Sequence, residues 1–250
     1  MYPVLFSIGA LEIRSSILFL ALGIFLGVLV ARRQARQFGF TDRDTFTFVL
    51  AAVPATLFLA ALNGFIFLLG RFWGFASLRV FFSGGLVSFG AVLGALLTGW
   101  IFARIRKQPV GTSLDLISLV LPLILAVYRI GCLLNGCCYG VETDTFAGLF
   151  LPGKFGEWAV RYPTQIMLML FDVVLFGWLW RMWKRKPTPG DLTLTFLVAY
   201  SAGRLVIDAF RDLPAVLGPL SFHQLVAFMI LAVSMVVALK RQGRKRNTPA

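Results

Sequence analysis

Four charged residues sit where an apolar chain should not carry them. Arg129 follows the apolar run Leu114–Val127, Asp172 interrupts the run that begins at Thr164, and Arg204 and Asp208 lie inside the stretch Asp191–Arg211. An ionised side chain at the centre of a membrane span costs at least about 2.5–3.5 kcal/mol, so such residues bind one another or bind something else. Arg204 and Asp208 are four apart and share a helical face. One explanation is an intramembrane salt bridge between them, with Arg129 reaching to the interface through its flexible stem. The other is a cationic pocket for a lipid phosphate, because a guanidinium stays charged and its planar fork takes phosphate oxygens in pairs. Asp172 is a further buried acid that needs a partner, and either arginine fits.

Arg129 belongs to the densest chemical stretch of the chain, Tyr128–Gly140, which reads YRIGCLLNGCCYG. It holds three glycines, one asparagine and all of the protein's cysteines, Cys132, Cys137 and Cys138. With the single His223 these suggest zinc, but C-x4-C-C matches no standard ligand spacing and His223 opens a different apolar run. Small residues in a tight glycine turn account for the cysteines. No metal or other cofactor is expected, and His223 is read as an interfacial residue.

The elements that must position these residues are membrane helices. The 250 residues are 58% hydrophobic and 14% charged, with a mean hydropathy of +0.83. A soluble domain carries roughly 45–50% apolar and about 25% charged residues. Several runs reach the ~20 residues that cross a bilayer as a helix. None alternates as a barrel strand would, and backbone in lipid must be satisfied within each segment. The reading is an all-α polytopic protein, one integral membrane domain over residues 1–250, with spans near Ser15–Ala31, Thr45–Gly70, Val80–Ala103, Thr112–Leu134, Thr164–Trp180, Asp191–Arg211 and Phe222–Leu239.

Charge then orients them. The net charge is +13, yet most of the 24 Lys and Arg cluster after the first, third, fifth and seventh spans. That is the positive-inside pattern and excludes nucleic acid as the natural partner. It predicts seven spans with the N-terminus outside and the C-terminus cytoplasmic. The loop 135–163 falls on the outer side and the basic tail 240–250 inside. Met1–Ala10 lacks a basic leader, so the first helix is expected to be retained. Counted at 1.5 Å per residue, Arg129 and Arg204 lie about 25 Å and 20 Å from the inner side, at comparable depth in the outer half. No internal repeat is visible, which disfavours an inverted-repeat transporter.

The third span reads SGGLVSFGAVLGALLTG. Gly90 and Gly94 form a GxxxG pair of the kind that lets two helices approach closely. Gly84 and Gly85, nearer the outer end, suit a backbone that approaches a ligand.

With these residues in view, the chain resembles the prolipoprotein diacylglyceryl transferases of bacterial inner membranes. The resemblance covers nearly the whole chain. It rests on FSIG at Phe6–Gly9, SGGLVSFG in the third span, YRIGCLLNGCCYG in the fourth, YPTQ at Tyr162–Gln165 and GRLVIDAFR at Gly203–Arg211. Members of that family move a diacylglyceryl group from phosphatidylglycerol to the lipobox cysteine of a preprolipoprotein, and glycerol phosphate leaves. The resemblance implies membrane lipid and the preprolipoprotein signal peptide as partners, a multi-pass inner-membrane location, and a monomer. It also implies that Arg129 and Arg204 bind the phosphate and that Asn135, Gly140, Gly84 and Gly85 shape the headgroup pocket. Asp208 stands where the family usually has a glutamate.

The departures are specific. Phe89 occupies a position usually held by histidine, Ser16 one usually held by tyrosine, and Tyr162 replaces the histidine before Pro-(Ser/Thr)-Gln. Cys132 and Cys137 replace an asparagine and an acid. A thiol nucleophile needs a base or a lowered pKa, and Asp208 and Tyr162 are the candidates left. Three readings follow: a divergent transferase, a relative that binds lipid or a partner without turnover, and a transferase with another acceptor.

Overall fold

A computed structural model describes residues 2–8, 11–36, 40–52, 54–55, 86–153, 156–213 and 215–247. A hairpin of β1 (Val4–Ile8) and β2 (Leu11–Arg14) leads into helix α1 (Ser15–Ala35). Residues 42–52 are helical. Then come α2 (Leu86–Ile105) and α3 (Val110–Asn135), the hairpin β3 (Leu149–Pro152) and β4 (Trp158–Arg161), and α4 (Thr164–Lys184). Helix α5 (Asp191–Ile207) runs into a 3-10 turn, Asp208–Phe210. A last hairpin, β5 (Ala215–Leu217) and β6 (Leu220–Ser221), opens α6 (Phe222–Asn247).

Five of these helices are long and apolar enough to cross a membrane, and α2 holds a shorter apolar stretch, Gly90–Ile105. The protein is therefore a helical membrane protein. Helices α1, α3, α4 and α5 begin and end within about four residues of the expected spans, whereas α6 continues past the expected end at Leu239 to Asn247. The expected second span, Thr45–Gly70, lies largely outside the described residues. The loop 135–163, expected to be irregular, carries β3 and β4. The three short hairpins add strand that hydropathy does not reveal.

The burial pattern is inverted relative to a soluble protein. On α4, Leu170, Val173, Val174 and Trp178 are exposed, while Thr164, Gln165 and Asp172 are buried. Lipid is the solvent for the first set, and there is no hydrophobic gain from covering them. Helices in lipid associate through close packing and polar contacts. Close packing is plainest between α1 and the central α3. A β-carbon on Gly23 would lie 2.8 Å from the backbone oxygen of Ile124, and one on Gly131 2.9 Å from that of Ser15. In α2 the close contact to α3 comes at Gly99, against Ile117. Of the expected GxxxG pair, Gly94 is buried and Gly90 half-buried, and both line a cavity with Leu114, Thr193 and Leu197.

Polar ties fasten the end of the bundle away from the hairpins. Gly190, at φ 92°, begins α5 without a side-chain cap of its own. Asp115 of α3 supplies one across the helix pair. Its carboxylate accepts the Gly190 amide at 2.6 Å, the Thr193 amide at 2.8 Å and the Thr193 hydroxyl at 2.7 Å. A carboxylate at a helix N-terminus satisfies orphan donors and meets the positive end of the dipole. Trp183 of α4 donates to Gln34 of α1 at 2.9 Å. Arg106 closes on Asp44 at 2.6 Å, and that guanidinium, with the Thr41 hydroxyl and amide, holds the Asp44 carboxyl down to about 2. A depressed carboxyl stabilises above its unfolded value, so this tie persists through mild acid and is lost as pH falls through about 2. Asp115→Ala is expected to cost about 1–3 kcal/mol, since it strips three hydrogen bonds from one buried cap. A thermal melt of the detergent-solubilised protein should shift down; an unchanged melt would remove the cap from the argument.

Candidate functional site

The helices alternate, so α3 and α5 end where α1, α4 and α6 begin. The three hairpins lie at that same end. Each expected site residue within the described set falls there. Arg129 and Asn135 come from the last turns of α3, Arg204 from the last turn of α5, and Asp208 from the turn that continues it.

Local sequence explains how the end is closed. Helix α3 stops at Gly136, whose φ of 69° reverses the chain and returns its amide to the Cys132 and Leu133 carbonyls. Glycine is the residue that takes this conformation without a steric cost. The returning strand is then stitched to α4 and the 3-10 turn. Thr164 donates to the Cys138 carbonyl at 2.6 Å and Gln165 to the Cys137 carbonyl at 2.8 Å. The Gly140 amide donates to the Tyr162 carbonyl and the Val141 amide to the Phe210 carbonyl. A β-carbon on Gly140 would lie 2.6 Å from the Phe210 and Tyr162 backbone oxygens, so glycine is required by close approach. The site that resemblance assigned to Gly140 is thus a backbone crossing between the α3 and α5 ends.

Arg204 is fully buried. Its Nε and Nη2 meet Asp208 Oδ2 at 3.0 and 2.9 Å. Asp208 also receives Arg211 Nη1 on its other oxygen at 3.2 Å. The intramembrane salt bridge is therefore present, and it involves a second arginine that the sequence did not single out. Both carboxylate oxygens face guanidiniums, a poor arrangement for a proton acceptor and a good one for holding two cations still.

Arg129 does not reach for the interface. It is 3% exposed, and its Nε and Nη2 have no hydrogen-bond partner among the described residues. It lies within electrostatic reach of Tyr200, Asp172 and Arg204. Asp172 is 1% exposed and feels both Arg129 and Arg204, but bonds to neither. The buried cluster thus holds Arg129, Arg204 and Arg211 against Asp172 and Asp208, an excess of cation. No other acid can correct it. All 11 acidic residues of the chain fall within the described set, and the nine outside the cluster sit elsewhere. Asp42, for example, is taken by Arg32 and Arg36, and Glu142 and Glu157 by Arg161. An uncompensated buried guanidinium is costly.

Other expectations fare differently. His223 is buried, 4% exposed. The start of α6 packs against the Asp208–Phe210 turn, which puts His223 within electrostatic reach of Arg211, Asp208, Arg204 and Cys138. Its Nε2 has no hydrogen-bond partner among the described residues. A lone histidine after a hairpin carries no sequence signal for such a position. Tyr162 sets its ring edge against Phe210 at 5.1 Å, and the Thr143 and Thr145 hydroxyls beside it lower its pKa. Gly84 and Gly85 lie outside the described residues, as does the side chain of Phe89.

Hydropathy and helix length define a polytopic helical membrane protein, with a cation-rich buried cluster at one end of the bundle. The profile of the prolipoprotein diacylglyceryl transferase family matches residues 3–240, and the chain belongs to that family. Relatives named phosphatidylglycerol–prolipoprotein diacylglyceryl transferase span it almost end to end. The one from Clostridioides difficile strain 630 is 26% identical, covering 98% of this chain and 97% of its own. That of Thermotoga maritima is 29% identical over 91% of this chain and 80% of its own. That of Dehalococcoides mccartyi strain BAV1 is 30% identical over 98% and 96%.

Asp208→Asn is expected to leave Arg204 and Arg211 without a counter-charge and to cost about 3–5 kcal/mol. The readout is a lower melting temperature and reduced yield of folded protein, and a melt equal to that of the unmodified chain would refute the pairing.

Proposed function

We propose that this chain transfers a diacylglyceryl group from phosphatidylglycerol to the lipobox cysteine thiol of a preprolipoprotein. It works in the bacterial inner membrane, as a monomer with seven spans, N-terminus outside and C-terminus cytoplasmic. The observation that carries the reading is Arg129, a buried guanidinium in a family motif whose Nε and Nη2 have no hydrogen-bond partner among the described residues, in a cluster where three arginines face two acids.

The chemistry follows from where charge moves. The acceptor thiolate attacks the glyceryl carbon that bears the phosphate ester. A carbon–sulfur bond forms, the carbon–oxygen bond breaks, and glycerol phosphate departs with the electron pair on oxygen. Arg129 and Arg204 hold the phosphate and meet the charge that grows on the leaving oxygen; fixed donors aimed at developing charge lower the barrier most. Asp208 keeps Arg204 and Arg211 in place. Asn135, at the end of α3, and Gly140, at the crossing, border the headgroup. Gly84 and Gly85 are assigned to the same pocket on their third-span motif.

A second reading has its own observation. With Phe89 in the usual histidine position and both Asp208 oxygens held by arginines, the chain binds phosphatidylglycerol or a partner without turning it over. One experiment separates the two. The chain is expressed in bacteria depleted of their own transferase, and a reporter lipoprotein is followed by mass. A diacylglyceryl mass gain supports transfer; its absence, with the protein folded in the membrane, sinks it.

Arg129→Ala should lower transfer by about 10²–10³-fold, the usual loss for one transition-state donor. Its melting temperature should hold or rise, because the substitution removes a buried charge whose Nε and Nη2 have no hydrogen-bond partner among the described residues. Equal losses of activity and stability would make Arg129 a structural residue.

A further inference from the structure

The three cysteines have no part in the transfer chemistry, yet the fold gathers them. The sulfurs of Cys132, Cys137 and Cys138 all lie within 4.8 Å of one another, and all three are free thiols. Spacing along the chain argues against a metal, because C-x4-C-C matches no standard ligand pattern. The Gly136 reversal removes that separation. It folds Cys137 back so that its amide meets the Cys132 carbonyl at 3.1 Å, and its thiol approaches the same oxygen at 3.6 Å. Cys138 then takes a left-handed φ of 63°, which few non-glycine residues adopt. The hydrogen bonds from Thr164 and Gln165 hold both cysteine carbonyls toward α4. The sulfurs are thus fixed by backbone clamps, not by contact with one another.

We propose that Cys132, Cys137 and Cys138 form a three-coordinate thiolate site for a soft monovalent metal ion, copper(I). Thiolates select soft ions such as copper(I) and zinc. Structural zinc closes its shell with four ligands, and among the described residues this group offers three. Copper(I) is satisfied by three sulfurs in a plane.

Arg211 and Arg129 lie within electrostatic reach of Cys138. Binding forms three copper–sulfur bonds and releases three protons to solvent. No electron moves. The complex carries two negative charges. Cys132 is fully buried, whereas Cys137 and Cys138 are half-buried and open a path for the ion.

The test reads the metal itself and does not rest on the transferase reading. The reduced full-length chain, purified in detergent under nitrogen on a histidine-free tag, is titrated with copper(I) against the chelator bicinchoninate. One copper per chain should resist the chelator, with a thiolate-to-copper ultraviolet band. Cys132→Ser, Cys137→Ser and Cys138→Ser should each weaken binding at least tenfold, since even residues that only support a metal ligand cost about 10–100-fold. In the unmutated chain, copper should also slow maleimide labelling of the thiols, a readout that needs no variant. Copper passing wholly to the chelator, or labelling at the same rate with and without copper, overturns the proposal. So does zinc held there more tightly than copper(I).

Discussion

A guanidinium kept from water must find an anion, and the hairpin end of this protein is arranged around that requirement. Arg204 finds Asp208 four residues on, and Arg211 shares the same carboxylate. Arg129 stands beside them, its Nε and Nη2 without a hydrogen-bond partner among the described residues. Asp172 and Tyr200 lie close enough to moderate its charge without binding it. Three arginines against two acids leave the cluster one cation in excess, which a simple buried ion pair would not.

The rest of the architecture supports that imbalance. Helices in lipid gain little from burying apolar surface, so their placement depends on contacts such as Gly131 against Ser15 and on polar stitches at helix ends. The hairpins gather where the helix ends meet. Beside them the irregular backbone finds its own partners, as Gly140 and Val141 donate to Tyr162 and Phe210. Unpaired amides at this depth would each cost as much as a lost hydrogen bond. The glycine crossing therefore does two things: it satisfies the backbone and locks the α3 and α5 ends together.

Much of this was legible in the sequence, for identifiable reasons. Hydropathy marked the helices because lipid imposes length and composition directly. Arg129 and Arg204 were legible because a charge inside an apolar run has few explanations. Their surroundings were not. Arg211 looked like a flanking charge, and only the 3-10 turn after Ile207 brings it back onto Asp208. His223 looked interfacial because it opens a helix, and nothing in the sequence marked its burial beside the turn from α5. The cysteine cluster was hidden by a chain reversal that spacing rules do not include. Short hairpins leave no mark in hydropathy, and their strands escaped notice.

One tie at the opposite end bears on how a substrate enters. Asp115 fastens α3 to the first turn of α5 with three hydrogen bonds, and the glycine crossing fastens the same two helices at the site. Two helices pinned at both ends cannot slide or splay apart. The arginine-bearing pair therefore behaves as a stator. Whatever moves when a lipid enters, the spacing between Arg129 and Arg204 is set by a pair of helices tied at both ends.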